Sequence, residues 1–83
     1  MPGPDTLSAL ASGDRATLVS IGGRRGFRRR LLEMGLLPGT PVRIVRRAEL
    51  GGLVELEVRG AHLSLRQREA HEVRVAPQGA VES

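Results

Sequence analysis

The sequence predicts a mainly β protein: a small barrel of about five short strands, with one helix inserted after the first strand. Three observations predict it. Apolar and polar residues alternate along several short runs, glycines stand at the breaks between them, and a single stretch carries a helical period. A sheet this small must hide its edges, and rolling up on itself does so most completely. The 83 residues suffice for one domain with a modest core. Cysteine is absent, which excludes disulfides and thiolate metal sites as a substitute for core.

The elements follow in order. Residues 1–4, with Pro2 and Pro4, read as a flexible tail. Asp5 or Thr6 can cap one helical turn that holds Leu7 and Leu10 and closes at Gly13. Residues 15–21 make the first strand, with Thr17, Val19 and Ile21 on its inner face, and Gly22–Gly23 stops it. The spacing of Phe27, Leu31 and Met34 at i, i+4 and i+7 predicts a helix over 26–34. An earlier start would bury Gly26 in its interior at about 1 kcal/mol. Gly35 serves as a left-handed cap that folds Leu36 back onto Leu31. Leu37, Pro38, Gly39 and Thr40 then fit a type II turn, with Pro and Gly at its centre.

Residues 41–47 form the next strand, with Val42 and Ile44 inward, and Gly51–Gly52 breaks the chain. Over 53–59, Val54, Leu56 and Val58 point in while Glu55, Glu57 and Arg59 point out, and Gly60 marks a tight turn. Residues 61–66 place Leu63 and Leu65 on one side and His62, Ser64 and Arg66 on the other. A short helical turn over 67–70 leads into a last strand, 71–75, with Val73 and Val75 inward. The domain thus spans 5–76, and 77–83 reads as a second flexible tail.

Charge and aromatic content narrow the function. Net charge is +4, and all 13 basic residues are Arg, whose planar donors suit carboxylate and phosphate. An acidic partner follows from that excess. Phe27 is the only aromatic residue. Stacking platforms for single-stranded nucleic acid and aromatic grooves for proline-rich peptides are therefore excluded. Residues 1–13 lack the basic and apolar regions of a secretory signal, and no run approaches the roughly 18 apolar residues of a membrane span. A soluble, cytoplasmic protein is expected. No Ser stands in a nucleophile motif, and Gly22–Gly23 lacks the Lys–Ser/Thr of a phosphate loop. Neither an enzyme nor a cofactor site is expected.

The ordered series is more specific than its parts. Arg30-Leu31-Leu32-Glu33-Met34-Gly35-Leu36 precedes Leu37-Pro38-Gly39, then Val42 and Ile44. A glycine pair, the alternating strand ending at Gly60, Leu63-Ser64-Leu65-Arg66, Glu69-Ala70 and Val73-Arg74-Val75 follow. Over residues 5–76 this resembles the FeoA family, the small cytoplasmic component of bacterial ferrous iron uptake. The resemblance implies an SH3-like barrel and a non-enzymatic role beside the membrane GTPase-permease FeoB, with the membrane reached only through that partner. The same domain ends DtxR-type metal-dependent repressors, whose helix-turn-helix this chain has no room for, so a free-standing member fits better. Two departures stand out: the loop Ala48-Glu49-Leu50 lacks the proline common there, and Ser64 stands where Ala is frequent.

The candidate partner-binding residues are Arg24, Arg25, Arg28, Arg29 and Arg30, with Leu37, Pro38 and Gly39 of the turn. Arg28, Arg29 and Arg30 step by about 100° each and fan around the exposed side of the helix. Cations there oppose the helix dipole, and Glu33 near the other end is equally misplaced. Two readings stand: a solvated face whose stems cover the core, or a patch that docks an acidic protein surface. A nucleic-acid-binding barrel using the same cluster on phosphates is the alternative, testable by its salt dependence. Phe27, Leu31, Leu36 and Leu37 can form an exposed apolar patch for a partner or pack the helix on the barrel. Packing is the preferred reading, since so small a core needs its large side chains, and Leu37 is the one nearest the interface reading. His62 and His71 face solvent on this reading, and their spacing matches no metal signature.

Overall fold

The computed structural model describes residues 5–48 and 52–77. The expected tails at 1–4 and 78–83 lie outside them, as do Glu49, Leu50 and Gly51 of the anticipated loop. Six strands form one antiparallel sheet: β1 (Asp5–Thr6), β2 (Arg15–Ile21), β3 (Pro41–Ala48), β4 (Leu53–Val58), β5 (Ala61–Arg66) and β6 (Val73–Pro77). Their order is β1-β6-β2-β3-β4-β5. Helix α1 (Arg25–Glu33) is inserted between β2 and β3, and α2 (Gln67–Ala70) between β5 and β6. A 3-10 turn, Leu7–Ala9, follows β1.

The sheet curls around one core to which every strand but β1 contributes buried side chains. Ala16 and Leu18, Val42 and Ile44, Val54, Leu56 and Val58, Leu65, Val73 and Val75 all point into it. Leu7 and Leu10 enter from the N-terminal side, and Leu31 and Leu36 plug it from α1. Strands β1 and β5 end the ladder, and α2 packs against both β5 and the Leu7–Ala9 turn. The short helix thereby covers the gap that hydrogen bonds leave between the two edges.

Several expectations require correction. A sixth strand exists because Asp5 and Thr6 pair with Val75 and Arg74, a two-residue edge too short to show periodicity. On β2 the buried residues are Ala16 and Leu18, whereas Val19 is exposed. The ladder to β6 shifts between Leu18 and Ser20, so Val19 is the extra residue of a bulge. Beyond it the alternation inverts, which is how Ile21 still reaches the core. A second shift between Ile44 and Arg46 makes Val45 the extra residue of β3. Arg46 thus turns outward to oppose Glu55, while Arg47 falls opposite buried Val54. Arg47 donates to the Leu10 carbonyl at 2.8 Å and to Gln67 Oε1 at 3.2 Å.

Arg59 leaves the strand: it has φ 55° and, with Gly60 at φ 82°, forms a two-residue hairpin loop between Val58 and Ala61. Ala48 remains in β3, opposite Leu53, and Pro77 completes β6, opposite Ala16. His71 precedes the last strand as the C-cap of α2. No helix among the described residues is long and apolar enough to cross a membrane.

Candidate functional site

Helix α1 starts after Gly22 and Gly23, where Gly22 N–H donates to the Glu72 carbonyl at 2.7 Å and Gly23 takes φ 82°. The N-cap, Arg24, makes no capping bond with its side chain, and the first turn contains no acid. An Asp or Ser cap with acids in the first turn would stabilise this helix. The sequence supplies arginines, so its stability comes from the far end and from packing. At the C-terminus the Leu36 N–H donates to Leu31 C=O and the Gly35 N–H to Leu32 C=O, both at 3.0 Å. This is a Schellman motif. It needs a left-handed residue at Gly35, whose φ is 98°, and it brings Leu36 onto Leu31 in the core.

The helix divides the five arginines into two groups. Arg25, Arg28, Arg29 and Leu32 follow an i, i+3, i+4, i+7 spacing and share one open surface depression with Glu33. Among the described residues, Arg25, Arg28 and Arg29 have no ion-pair partner. Arg24 and Arg30 lie toward α2. Arg24 lines a depression with Phe27, Arg68, Glu69 and Glu72, where charges of both signs meet. Arg30 approaches Glu69 at 3.4 Å, and its guanidinium carbon lies 5.9 Å from the centre of the Phe27 ring. Glu69 also accepts the Arg66 N–H at 2.9 Å, so this carboxylate ties α1 to the start of α2.

The turn at Leu37, Pro38, Gly39 and Thr40 has the expected form. Gly39 has φ 90°, and Thr40 N–H donates to Leu37 C=O at 3.0 Å. Two further bonds fasten it to β2: Gly39 N–H to Leu18 C=O at 2.8 Å, and Leu18 N–H to Thr40 C=O at 2.9 Å. Leu37 is 46% exposed, and Pro38 and Gly39 are also at the surface. Leu32 and Met34, at the end of α1, are also exposed, at 44% and 47%.

The helical spacing sets Met34 on the side of Phe27 and Leu31, yet it is 47% exposed. Leu37, assigned to packing the helix on the barrel, is exposed too, and Leu32 went unremarked. The signal for Leu32 was present: it completes the arginine stripe at i+7. Met34 lies beyond the last helical residue as the C-cap, with ψ 2°, so the helical period no longer sets its direction. Phe27 is half-buried against the core, and Leu31 and Leu36 are fully buried.

The histidines do not converge. His62 is exposed on β5, opposite Glu57. His71 Nδ1 lies 2.9 Å from Ser8 Oγ, which lies 2.6 Å from Thr6 Oγ1. Among the described residues no three His, Asp or Glu side chains gather as metal ligands.

Comparison with known proteins adds to this geometry. The FeoA domain model matches residues 6–77. The chain is 38% identical over 69 residues to the Fe(2+) transport protein A/Fe(2+) transporter FeoB fusion protein of Porphyromonas gingivalis. That match covers 83% of this chain but only 8% of the relative. The solution structure of FeoA from Chlorobium tepidum superposes with a TM-score of 0.86 at 35% identity, covering 94% of this chain and 74% of that one. FeoA of Stenotrophomonas maltophilia, an SH3 domain protein crystallised with zinc, gives a TM-score of 0.73 at 32% identity, covering 84% and 87%.

Proposed function

This chain belongs to the FeoA family, and from that premise we propose that it is a non-catalytic, cytoplasmic accessory of ferrous iron uptake. It docks on the cytoplasmic part of a FeoB-type GTPase-permease and regulates or assembles it, without a cofactor or a small-molecule substrate of its own. The fusion of the two components in the Porphyromonas gingivalis relative supports that pairing. The observation that carries the choice of surface is the outer stripe of α1. Among the described residues Arg25, Arg28 and Arg29 have no ion-pair partner, and they share a depression with exposed Leu32, while Met34 and Leu37, which follow the helix, are exposed as well. Unpaired cations steer an acidic surface into place, and the apolar end supplies the desolvated contact. A nucleic-acid reading is weaker, because the single aromatic ring is half-buried and already has Arg30 near it.

The test is a titration against the purified cytoplasmic domain of the FeoB-type partner at low salt. Reversing Arg28 and Arg29 together to Glu weakens binding about tenfold or more while the fold remains intact by circular dichroism. Affinity unchanged by the double reversal overturns the assignment of this surface. In cells that lack only this chain but still make the transporter, ferrous iron uptake falls under iron limitation. Undiminished uptake removes the accessory role itself.

A further inference from the structure

Away from α1, a second group of arginines gathers where β2, β3 and β4 meet. Arg15 on β2 stands directly opposite Arg43 on β3, and Arg43 directly opposite Glu57 on β4. With Arg59 of the hairpin loop these residues line an open depression of about 310 Å3, walled by Pro41 and Val42. One carboxylate and three arginines line it. Arg43 is the only one bonded to it: its Nε and Nη2 both donate to Glu57 Oε1, at 3.2 and 2.7 Å. Arg15 and Arg59 have no hydrogen-bonded or ion-pair partner among the described residues.

Two choices here work against the fold. Like charges directly opposed across an antiparallel ladder destabilise it, and that is the Arg15–Arg43 pair. Arg59 is the only non-glycine residue with positive φ among those described, at a loop position that Asn, Asp or Gly occupies with less strain. Unfavourable local choices that converge on one place mark function more often than chance.

We propose that this depression is an oxyanion site for a phosphate group. Three guanidiniums offer more donors than the two oxygens of a carboxylate can accept, and Glu57 already shows that one Arg suffices for a carboxylate. Their excess of two charges over Glu57 matches a phosphate dianion, whose oxygens can take hydrogen bonds from Arg15, Arg43 and Arg59 together. The site is separate from the α1 surface and does not depend on the docking reading. The phosphate can belong to a soluble molecule or to a lipid headgroup.

The experiment follows the Arg Nε–Hε resonances of the whole chain while inorganic phosphate replaces chloride at constant ionic strength. Saturable shifts at Arg15, Arg43 and Arg59 are expected. R59G weakens binding about tenfold, the loss of one charge-assisted hydrogen bond, without unfolding the protein, because glycine suits the left-handed position. R28E/R29E leaves the phosphate shifts as they were. Co-sedimentation with phosphatidic acid vesicles that is lost in R59G assigns the phosphate to lipid. Saturation by inorganic phosphate without vesicle binding assigns it to a soluble molecule. Shifts that never saturate, or that persist unchanged in R59G, overturn the site.

Discussion

The outer face of the β3–β4 ladder and the outer face of α1 are both rich in arginine, yet they treat it differently. On the ladder, Arg43 meets Glu57 at 2.7 Å and Arg46 meets Glu55 at 3.1 Å, each pair set directly opposite by the strand register. Along α1, Arg25, Arg28 and Arg29 share one side of the helix with no ion-pair partner among the described residues, next to exposed Leu32. A strand pair matches charges across to a neighbour, whereas the side of a surface helix turned away from its neighbours matches them only along itself, at i+3 or i+4. On that side of α1 the sequence supplies one acid at such a spacing, Glu33 four residues after Arg29, and no ion pair forms between them. Charge on the ladder is therefore largely spent within the fold, and charge on α1 is available to something outside it.

The largest way to break this contrast is to detach α1. Leu31 is fully buried and Leu32 is 44% exposed, one step apart on the helix. Leu31→Ala should lower stability by about 2–5 kcal/mol, since it empties the plug between helix and barrel. Leu32→Ala should change stability by no more than about 0.5 kcal/mol, yet weaken partner docking. Urea unfolding of the two variants measures the difference. Equal losses would mean that the helix face has been assigned the wrong way round.

A smaller effect sharpens the same contrast through its sign. Arg46→Glu removes the pair with Glu55 and sets two carboxylates opposite each other, so stability should fall by about 0.2–1 kcal/mol. Arg25→Glu places an acid at the start of α1, where the dipole favours it, and stability should rise by about 0.3–1 kcal/mol at low salt. Thermal unfolding at low and high salt reads both, and the two shifts shrink as salt screens them. A fall for both substitutions would mean that Arg25 has a partner within the fold.

Where alternation or helical spacing ran unbroken, the sequence was a sufficient guide. The inward faces of 53–58 and 61–66, the Gly35 cap and the Pro38–Gly39 turn are all as their patterns imply. The misreadings cluster where one residue breaks a period. Val19 and Val45 are ordinary strand residues, and nothing in the sequence alone marks either as the extra member of a bulge. Each bulge inverts the face of everything beyond it, which is why Val19 was assigned inward and the Arg46–Glu55 pair was not foreseen. Arg59 escaped because Arg is rare at a left-handed loop position, so Gly60 alone announced the turn. For the α1 surface, the arginines were plain in the sequence, but their division into a free stripe and an α2-facing pair depends on Glu69, far along the chain. The Arg15–Arg43–Arg59 depression needed strand register to be seen at all.

The smallest effect belongs to Glu57. The hydrogen bonds and charge of Arg43 hold its carboxyl below the usual carboxylate range, and the charges of His62 and Arg15 act in the same direction. A carboxyl whose pKa is lower in the folded state contributes stability above its unfolded pKa, roughly 4.3, and loses that contribution as pH falls through the folded value. Glu57→Gln should therefore shift the urea midpoint downward at pH 7, and the gap from the parent protein should close as the medium is acidified below about pH 4. Solvent reaches both partners of this half-buried pair and screens them, so the gap is small and narrows further in salt. No such acid-dependent gap should arise from Arg28→Gln or Arg29→Gln, because among the described residues no carboxylate is paired with either. An equal pH dependence on α1 would show that its arginines are paired after all, and the distinction between the two faces would fail.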